Sequence, residues 1–229
     1  MSALVAMRLT AFVRGGRAAV PLIAALVVLG VLYGGGQAGV AEGYGVSAAV
    51  LFPVLAWQSK LLLDAEPDVQ RHLARVTLGE RREWTAGLLA ALAAGLVTAA
   101  IAMAAPWVTG GMRTPRGAEP PLAVGLALGV WAHLLALAAG VALGALACRA
   151  VTRGVLPGVA VLVTGGVLGI VLGLRGSIAP WLVPPLMPAA RALTDTGPTA
   201  AEVGLLTAHA VAWAAAVIAG YAWLRRRRA

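Results

Sequence analysis

Charge is what this sequence has least of. Asp, Glu, Lys and Arg make up 12% of its 229 residues, and 60% are hydrophobic. A soluble globular domain carries about 25% charged residues. A chain of this size leaves many residues partly exposed when it folds in water, and this one has too few polar side chains to cover that surface. The lack excludes an ordinary soluble domain and leaves the lipid bilayer as the fitting solvent. Lysine is nearly missing too, since Lys60 is the only one and the other basic residues are arginines. With abundant Ala and Gly, that bias matches GC-rich coding. The lone cysteine, Cys148, excludes an internal disulfide and a cysteine metal cluster, and reads as a small apolar filler. Aromatic residues are 5%, and the basic residues lie between oily runs. The net charge of +9 is therefore read as membrane topology and not as nucleic-acid binding.

Catalytic signatures are missing as well. No Gly-Lys pair followed by Ser or Thr occurs, so the chain has no P-loop and does not hydrolyse ATP by that route. Neither HExxH nor GxSxG is present. His72, His133 and His209 are far apart in sequence. His133 and His209 fall in apolar runs and are candidates for a polar site, although a lone histidine there is more often a hydrogen-bonded packing residue. The interiors of the apolar runs hold no Asp or Glu, which argues against an ion-coupled carrier. An integral membrane enzyme would need a polar cluster near one membrane face, and the sequence offers none.

What the chain does have is apolar length. Six runs approach the roughly 20 residues a helix needs to cross a hydrocarbon core. They lie near 18–36, 45–63, 85–108, 120–148, 154–174 and 202–224. The expected fold is all-α and integral to the membrane, a single transmembrane domain over 1–229. Six spans put both termini on one side, together with loops 64–84 and 149–153. That side holds 14 of the 18 Lys and Arg residues, so it is expected to be cytoplasmic. The first run is read as a span and not as a cleaved signal peptide, because a long amphipathic segment precedes it.

Three segments neither span nor float. In residues 2–17, Val5, Leu9, Phe12 and Val13 form one apolar stripe. Arg8 and Arg14 fall off it, and Ser2 is placed as N-cap, so a short helix lying on the membrane surface is expected. Residues 64–84, DAEPDVQRHLARVTLGERREW, hold nine of the 27 charges. Pro67 suits the start of a helix and Gly79 its end. Asp68 places negative charge at the helix N-terminus and pairs by spacing with Arg71 or His72. Val69, Leu73 and Val76 make a narrow apolar stripe. Residues 174–200 carry five prolines, which forbid one continuous helix, yet Trp181, Leu182, Val183, Leu186 and Met187 are too apolar for a plain loop. Short helical pieces in a re-entrant outer segment are expected. Gly165, Gly169 and Gly173 repeat at a spacing that lets helices pack tightly.

The combination of surface helix, six spans, charged helix between the second and third spans, and proline-rich outer segment resembles the membrane subunit of a type 2 ATP-binding-cassette exporter. EPDVQRHLARVTLG followed by ERREW is the most family-like stretch. The resemblance implies that Asp68 to Leu78 is the coupling helix, with Asp68, Arg71, His72, Arg75, Arg81 and Arg82 meeting an ATPase. It implies two ATPase subunits on separate chains, which carry the ATP and Mg, and a second permease copy or paralogue. It implies no cofactor or metal in this chain and a place in the bacterial cytoplasmic membrane among its lipids. Few aromatics favour a hydrophobic or amphipathic substrate over a polysaccharide, with Phe52, Trp57 and Gln58 as candidates to face its path. The alternative is a non-transporting assembly or immunity factor whose charged helix binds another cytoplasmic partner.

Overall fold

The computed structural model describes residues 1–194 and 196–228, apart from the side chains of Asp68 and Arg228. The described residues form helices and no strand, as the apolar runs require in a solvent that cannot satisfy backbone groups. They are α1 (Ser2–Arg14), α2 (Ala19–Tyr33), α3 (Val40–Leu63), α4 (Asp68–Leu78), α5 (Glu80–Val108), α6 (Leu122–Ala147), α7 (Arg149–Thr152), α8 (Val155–Val171), α9 (Leu186–Ala192) and α10 (Ala200–Arg228), with a 3-10 turn at Pro180–Leu182.

Four of these are long and apolar enough to cross a membrane: α3, α5, α6 continued through α7, and α10. A fifth crossing results if α1 and α2, which meet at 72°, are one broken span. Each of the six expected runs is helical, but two are shorter than expected. Helix α2 stops at Tyr33, before Gly34, Gly35 and Gly36, and α8 stops at Val171 after 17 residues. The exterior is oily: Val31, Leu156 and Leu205 are each more than 70% exposed. Such a surface suits lipid and not water.

Helix α3 is the centre and packs on α2, α5, α6, α8 and α9. Its apolar window is 67% buried and that of α6 is 72% buried, whereas that of α10 is only 6% buried. The first two are therefore the core, and α10 is a peripheral helix. Glycines bring α6 onto α3. A Cβ at Gly129 would lie 2.4 Å from the Tyr44 ring, and one at Gly144 would lie 2.5 Å from the Ala56 carbonyl oxygen. Gly125 and Gly140 meet Val40 and Leu55 in the same way. With no apolar driving force between helices in lipid, such close approach supplies the attraction through dispersion. Polar bonds add to it. Gln58 Nε2 donates to the Ala94 carbonyl at 3.1 Å, and Thr98 Oγ1 donates to Gln58 Oε1 at 2.9 Å, joining α3 to α5.

The molecule has two unlike ends. At one, Arg113 pairs with Glu119, and Arg116 N–H donates to the same carboxylate at 3.0 Å. The loop is further tied by mutual backbone bonds of Ala38 with Gly111 and Arg113. The proline-rich segment lies here as short pieces, with Ala190 and Leu193 against Gly45. At the other end α1, α4, the start of α5, α7 and the last turns of α10 come together.

Two outcomes are expected from this packing. Gly144→Val should drive α6 from α3, at a cost of about 1–3 kcal/mol. It is read as a lower melting temperature in detergent beside a Gly30→Ala control, because Gly30 has open space around it. Equal melting of the two variants would refute the close approach. The Arg113 hydrogen bond, with the Arg116 N–H, holds the Glu119 carboxyl below the usual carboxylate range. A depressed pKa contributes stability at neutral pH that is lost as acid carries the pH down through the lowered value. Arg113→Gln should therefore move the Glu119 midpoint upward in a carboxyl NMR titration, and an unmoved midpoint would rule out the clasp.

Candidate functional site

The charged end contains a buried ionic hub. Glu83, in the first turn of α5, is 1% exposed. The N-terminus of a helix favours a carboxylate there. Its Oε1 accepts from Arg8 Nη2 of α1 at 2.7 Å, and its Oε2 accepts from Arg225 Nη2 of α10 at 2.5 Å. Its backbone carbonyl also accepts from Arg8 Nη1, at 2.9 Å. Arg225 Nη1 donates to the Tyr221 hydroxyl one turn earlier, at 2.8 Å.

Glu66, in the linker between α3 and α4, grips Arg8 with both oxygens, at 2.9 and 2.7 Å. This is the fork geometry in which a guanidinium binds a carboxylate most strongly. Asp64 joins two further helices. Its Oδ2 accepts from Lys60 Nζ at 2.7 Å, and its Oδ1 accepts from the backbone N–H of Arg149, the first residue of α7, also at 2.7 Å. The Asp64 carbonyl accepts from Arg17 and Arg149 side chains. Charges this deep are tolerable only when paired and hydrogen-bonded, and these are.

The inward face of α1 holds Val5, Leu9 and Phe12 of the expected stripe, but it also takes in Arg8 and leaves out Val13. Arg8 is 4% exposed and lies on the buried row Leu4, Arg8, Phe12, while Val13, expected on the apolar stripe, is 64% exposed. Two carboxylates hold Arg8 while Leu4, Val5, Leu9 and Phe12 pack beside it. Ser2 is not the N-cap, since the helix is preceded by Met1 and no side chain caps it.

Helix α4 has the expected bounds, with Pro67 at its N-cap in an extended conformation and Gly79 ending it at φ 85°. A side chain with a Cβ rarely adopts that angle, so glycine is what permits α5 to begin one residue later. The faces of α4 are the reverse of a helix packed by its oil. Arg71 is 8% exposed and donates from Nη2 to the Glu66 carbonyl at 3.3 Å. Arg75 Nε lies 3.8 Å from Glu83 Oε2. Val69, Leu73 and Val76 point outward, at 72%, 58% and 73% exposure. His72, Arg81 and Arg82 are exposed beside them. The six residues expected to meet a partner are thus divided. Arg71 and Arg75 turn inward to the hub, His72, Arg81 and Arg82 face outward, and the side chain of Asp68 lies outside the described residues.

The other expected residues are scattered. Phe52 is fully buried against Gly169 of α8. Gln58 is used in the bonds to α5 described above. Trp57 lines an apolar cleft of about 600 Å³ between α3 and α8, with Pro53, Leu162 and Gly166. Gly165, Gly169 and Gly173 admit Leu143, Phe52 and Met187, so they serve packing within the chain. His133 is buried, with Nδ1 donating to the Gly129 carbonyl at 2.8 Å and Nε2 3.3 Å from Ser47. His209 bonds to the Trp181 carbonyl, which ties α10 to the proline-rich segment.

Sequence reasoning missed Arg8, Lys60, Asp64, Glu66, Glu83, Arg149 and Arg225 as one cluster. A local signal existed for two of them. Leu4, Arg8 and Phe12 recur every fourth residue, as do Tyr221 and Arg225. Among the described residues, no group of three His, Cys, Asp or Glu side chains is placed to hold a metal ion. No protein-family model, curated protein or solved structure matches the chain.

Removing Glu83 would leave the buried Arg225 with only the Tyr221 hydroxyl and take one of two carboxylates from Arg8. Glu83→Ala should cost about 3–5 kcal/mol. Glu80→Ala, on the same turn, should cost less than about 1 kcal/mol. Thermal melting of the purified protein compares them, and similar losses would show that the hub does not hold this end together.

Proposed function

We propose that this chain is the membrane subunit of a type 2 ATP-binding-cassette exporter. The observation that carries the reading is the inverted amphipathicity of α4. Its basic face is fastened to the hub, and its apolar face, Val69, Leu73 and Val76, is presented outward. A solvent-facing apolar stripe on a short helix is the form that seats in a groove of a partner. In the exporter, that groove belongs to the ATPase.

The mechanical argument supports the same reading. Helix α4 joins α5 through Gly79 alone. Arg71 ties it to Glu66 and Arg75 lies beside Glu83, while Arg8 and Arg225 carry the connection to α1 and α10. Force applied to α4 therefore reaches helices at both ends of the chain. ATP binding closes a pair of ATPases, and two coupling helices transmit that motion to a path between two permease copies or paralogues. The hydrocarbon is crossed six times, with α2 and α8 as the shorter spans and both termini cytoplasmic, following the arginine distribution. Residues 174–200 form the outer re-entrant segment. The substrate is hydrophobic or amphipathic, in keeping with the apolar cleft beside Trp57. Helix α10, scarcely buried, leaves a face for lipid or the second copy.

The test is affinity purification of the whole chain in mild detergent, followed by mass spectrometry. An ATPase bearing Walker motifs should copurify with the native chain. Leu73→Asp with Val76→Asp should reduce its recovery by at least about tenfold, a loss of roughly 1.4 kcal/mol or more. Capture of a different cytoplasmic protein through the same stripe would favour an assembly or immunity factor. An ATPase bound equally well by the double variant would refute α4 as the coupling helix.

A further inference from the structure

Beside the hub lies an open groove of about 700 Å³, walled by α4, α7 and the end of α10. Five arginines line it, Arg71, Arg75, Arg149, Arg153 and Arg225, together with His72. No acidic side chain among the described residues does. The nearby carboxylates are already engaged, Asp64 by Lys60 and Arg149, Glu66 by Arg8, and Glu83 by Arg8 and Arg225.

Three buried donors remain over. The Nε atoms of Arg75, Arg149 and Arg225 make no hydrogen bond among the described residues. For Arg75 and Arg149 the facing carboxylate oxygens are at 3.8 and 3.9 Å, too far for one. Arg225 is only 3% exposed, so bulk water does not readily serve it. Each of these Nε atoms is covered by protein and does not face the open groove, so a ligand there would meet the outer guanidinium nitrogens.

Arg153 gives a separate indication. It is the only non-glycine residue with positive φ among those described, at 61°. Gly154 follows it directly, so the sequence had glycine at hand for the turn and placed an arginine in the costlier position. Its side chain is exposed and makes no ion pair or hydrogen bond among the described residues. Strained backbone that aims a charged side chain into a groove is characteristic of ligand sites.

We infer that this groove binds a phosphate group, held by Arg153 and Arg149. Planar guanidiniums with exposed N–H groups, those of Arg153 above all, match the multiple oxygens of a phosphate ester. Location indicates how the phosphate is presented. Val155 and Leu156, at the start of α8, are 64% and 80% exposed, so the oily exterior begins two residues past Arg153. Val69, Leu73 and Ala150 add apolar wall to the groove itself. A phospholipid headgroup meets both features, and free phosphate shares its anionic chemistry.

Native mass spectrometry of the full chain in mild detergent tests the site, with phosphatidylglycerol and phosphatidylcholine supplied in separate arms. A third arm measures melting in inorganic phosphate against chloride at equal ionic strength. Two variants are compared with the native chain. Arg153→Gly keeps the turn, since glycine accepts the positive φ, and Ala150→Glu places a carboxylate in the groove. Phosphatidylglycerol, whose phosphate charge is not offset, should be retained over phosphatidylcholine, whose choline cation the arginines repel, and either variant should lower that retention by about tenfold. A lipid source gives retention without a phosphate effect on melting, and a free anion gives a melting shift that Arg153→Gly abolishes. Equal retention of the two lipids with no phosphate shift would overturn the site. So would unchanged binding in both variants, or a copurifying acidic protein segment that phosphate does not displace. None of these measurements requires an ATPase or transport, so the site and the exporter reading stand or fall separately.

Discussion

One carboxylate organises the charged end of the molecule. Glu83 receives a guanidinium on each oxygen, from the first helix and from the last, and its own carbonyl holds the first of them a second time. A buried charge of this kind gives little net stability compared with well-packed oil of the same shape. What it gives is a fixed arrangement, since Arg8 and Arg225 meet their acceptor in this one geometry. The apolar core around α3 and α6 positions the long helices. The short ones, α1, α4 and α7, are in addition tied by Glu66, Glu83 and Asp64, and α4 has no buried apolar residue at all.

This division explains why α4 faces outward with its oil. A helix of 11 residues is too short to be stable alone and must be fixed by something it packs on. Here that something is polar, so the basic face is used inside and the apolar stripe is left over. A helix with the usual orientation would bury Val69, Leu73 and Val76 and show its arginines to water. The same sequence periodicity describes both, because a stripe defines a face without saying what the face meets.

Much of the fold was legible because apolar length, proline and glycine act locally. The ends of α4 could be read from Pro67 and Gly79, and the long helices from uninterrupted hydrophobic runs. The shortened α2 and α8 were less plain, since Gly34 to Gly36 follow the one and Leu172 and Gly173 the other while the hydropathy continues. The hub was hidden for a different reason. Arg8 meets Glu66 and Glu83 across 58 and 75 residues, and Arg225 meets Glu83 across 142. Such pairings leave no trace in spacing, and charge in a scarce supply is naturally assigned to solvent or to a partner. Gln58 was similarly placed in a path when its amide was needed to join α3 to α5.

The outward stripe of α4 has a bearing on how such a protein diversifies. Because the hub occupies the basic face, the residues that hold the helix and the residues it displays are separate sets. Val69, Leu73 and Val76 can change in size and branching while Arg71, Arg75 and Glu83 keep the helix where it is. What this surface displays is then set by steric form, a property altered by single methyl groups without any loss of architecture.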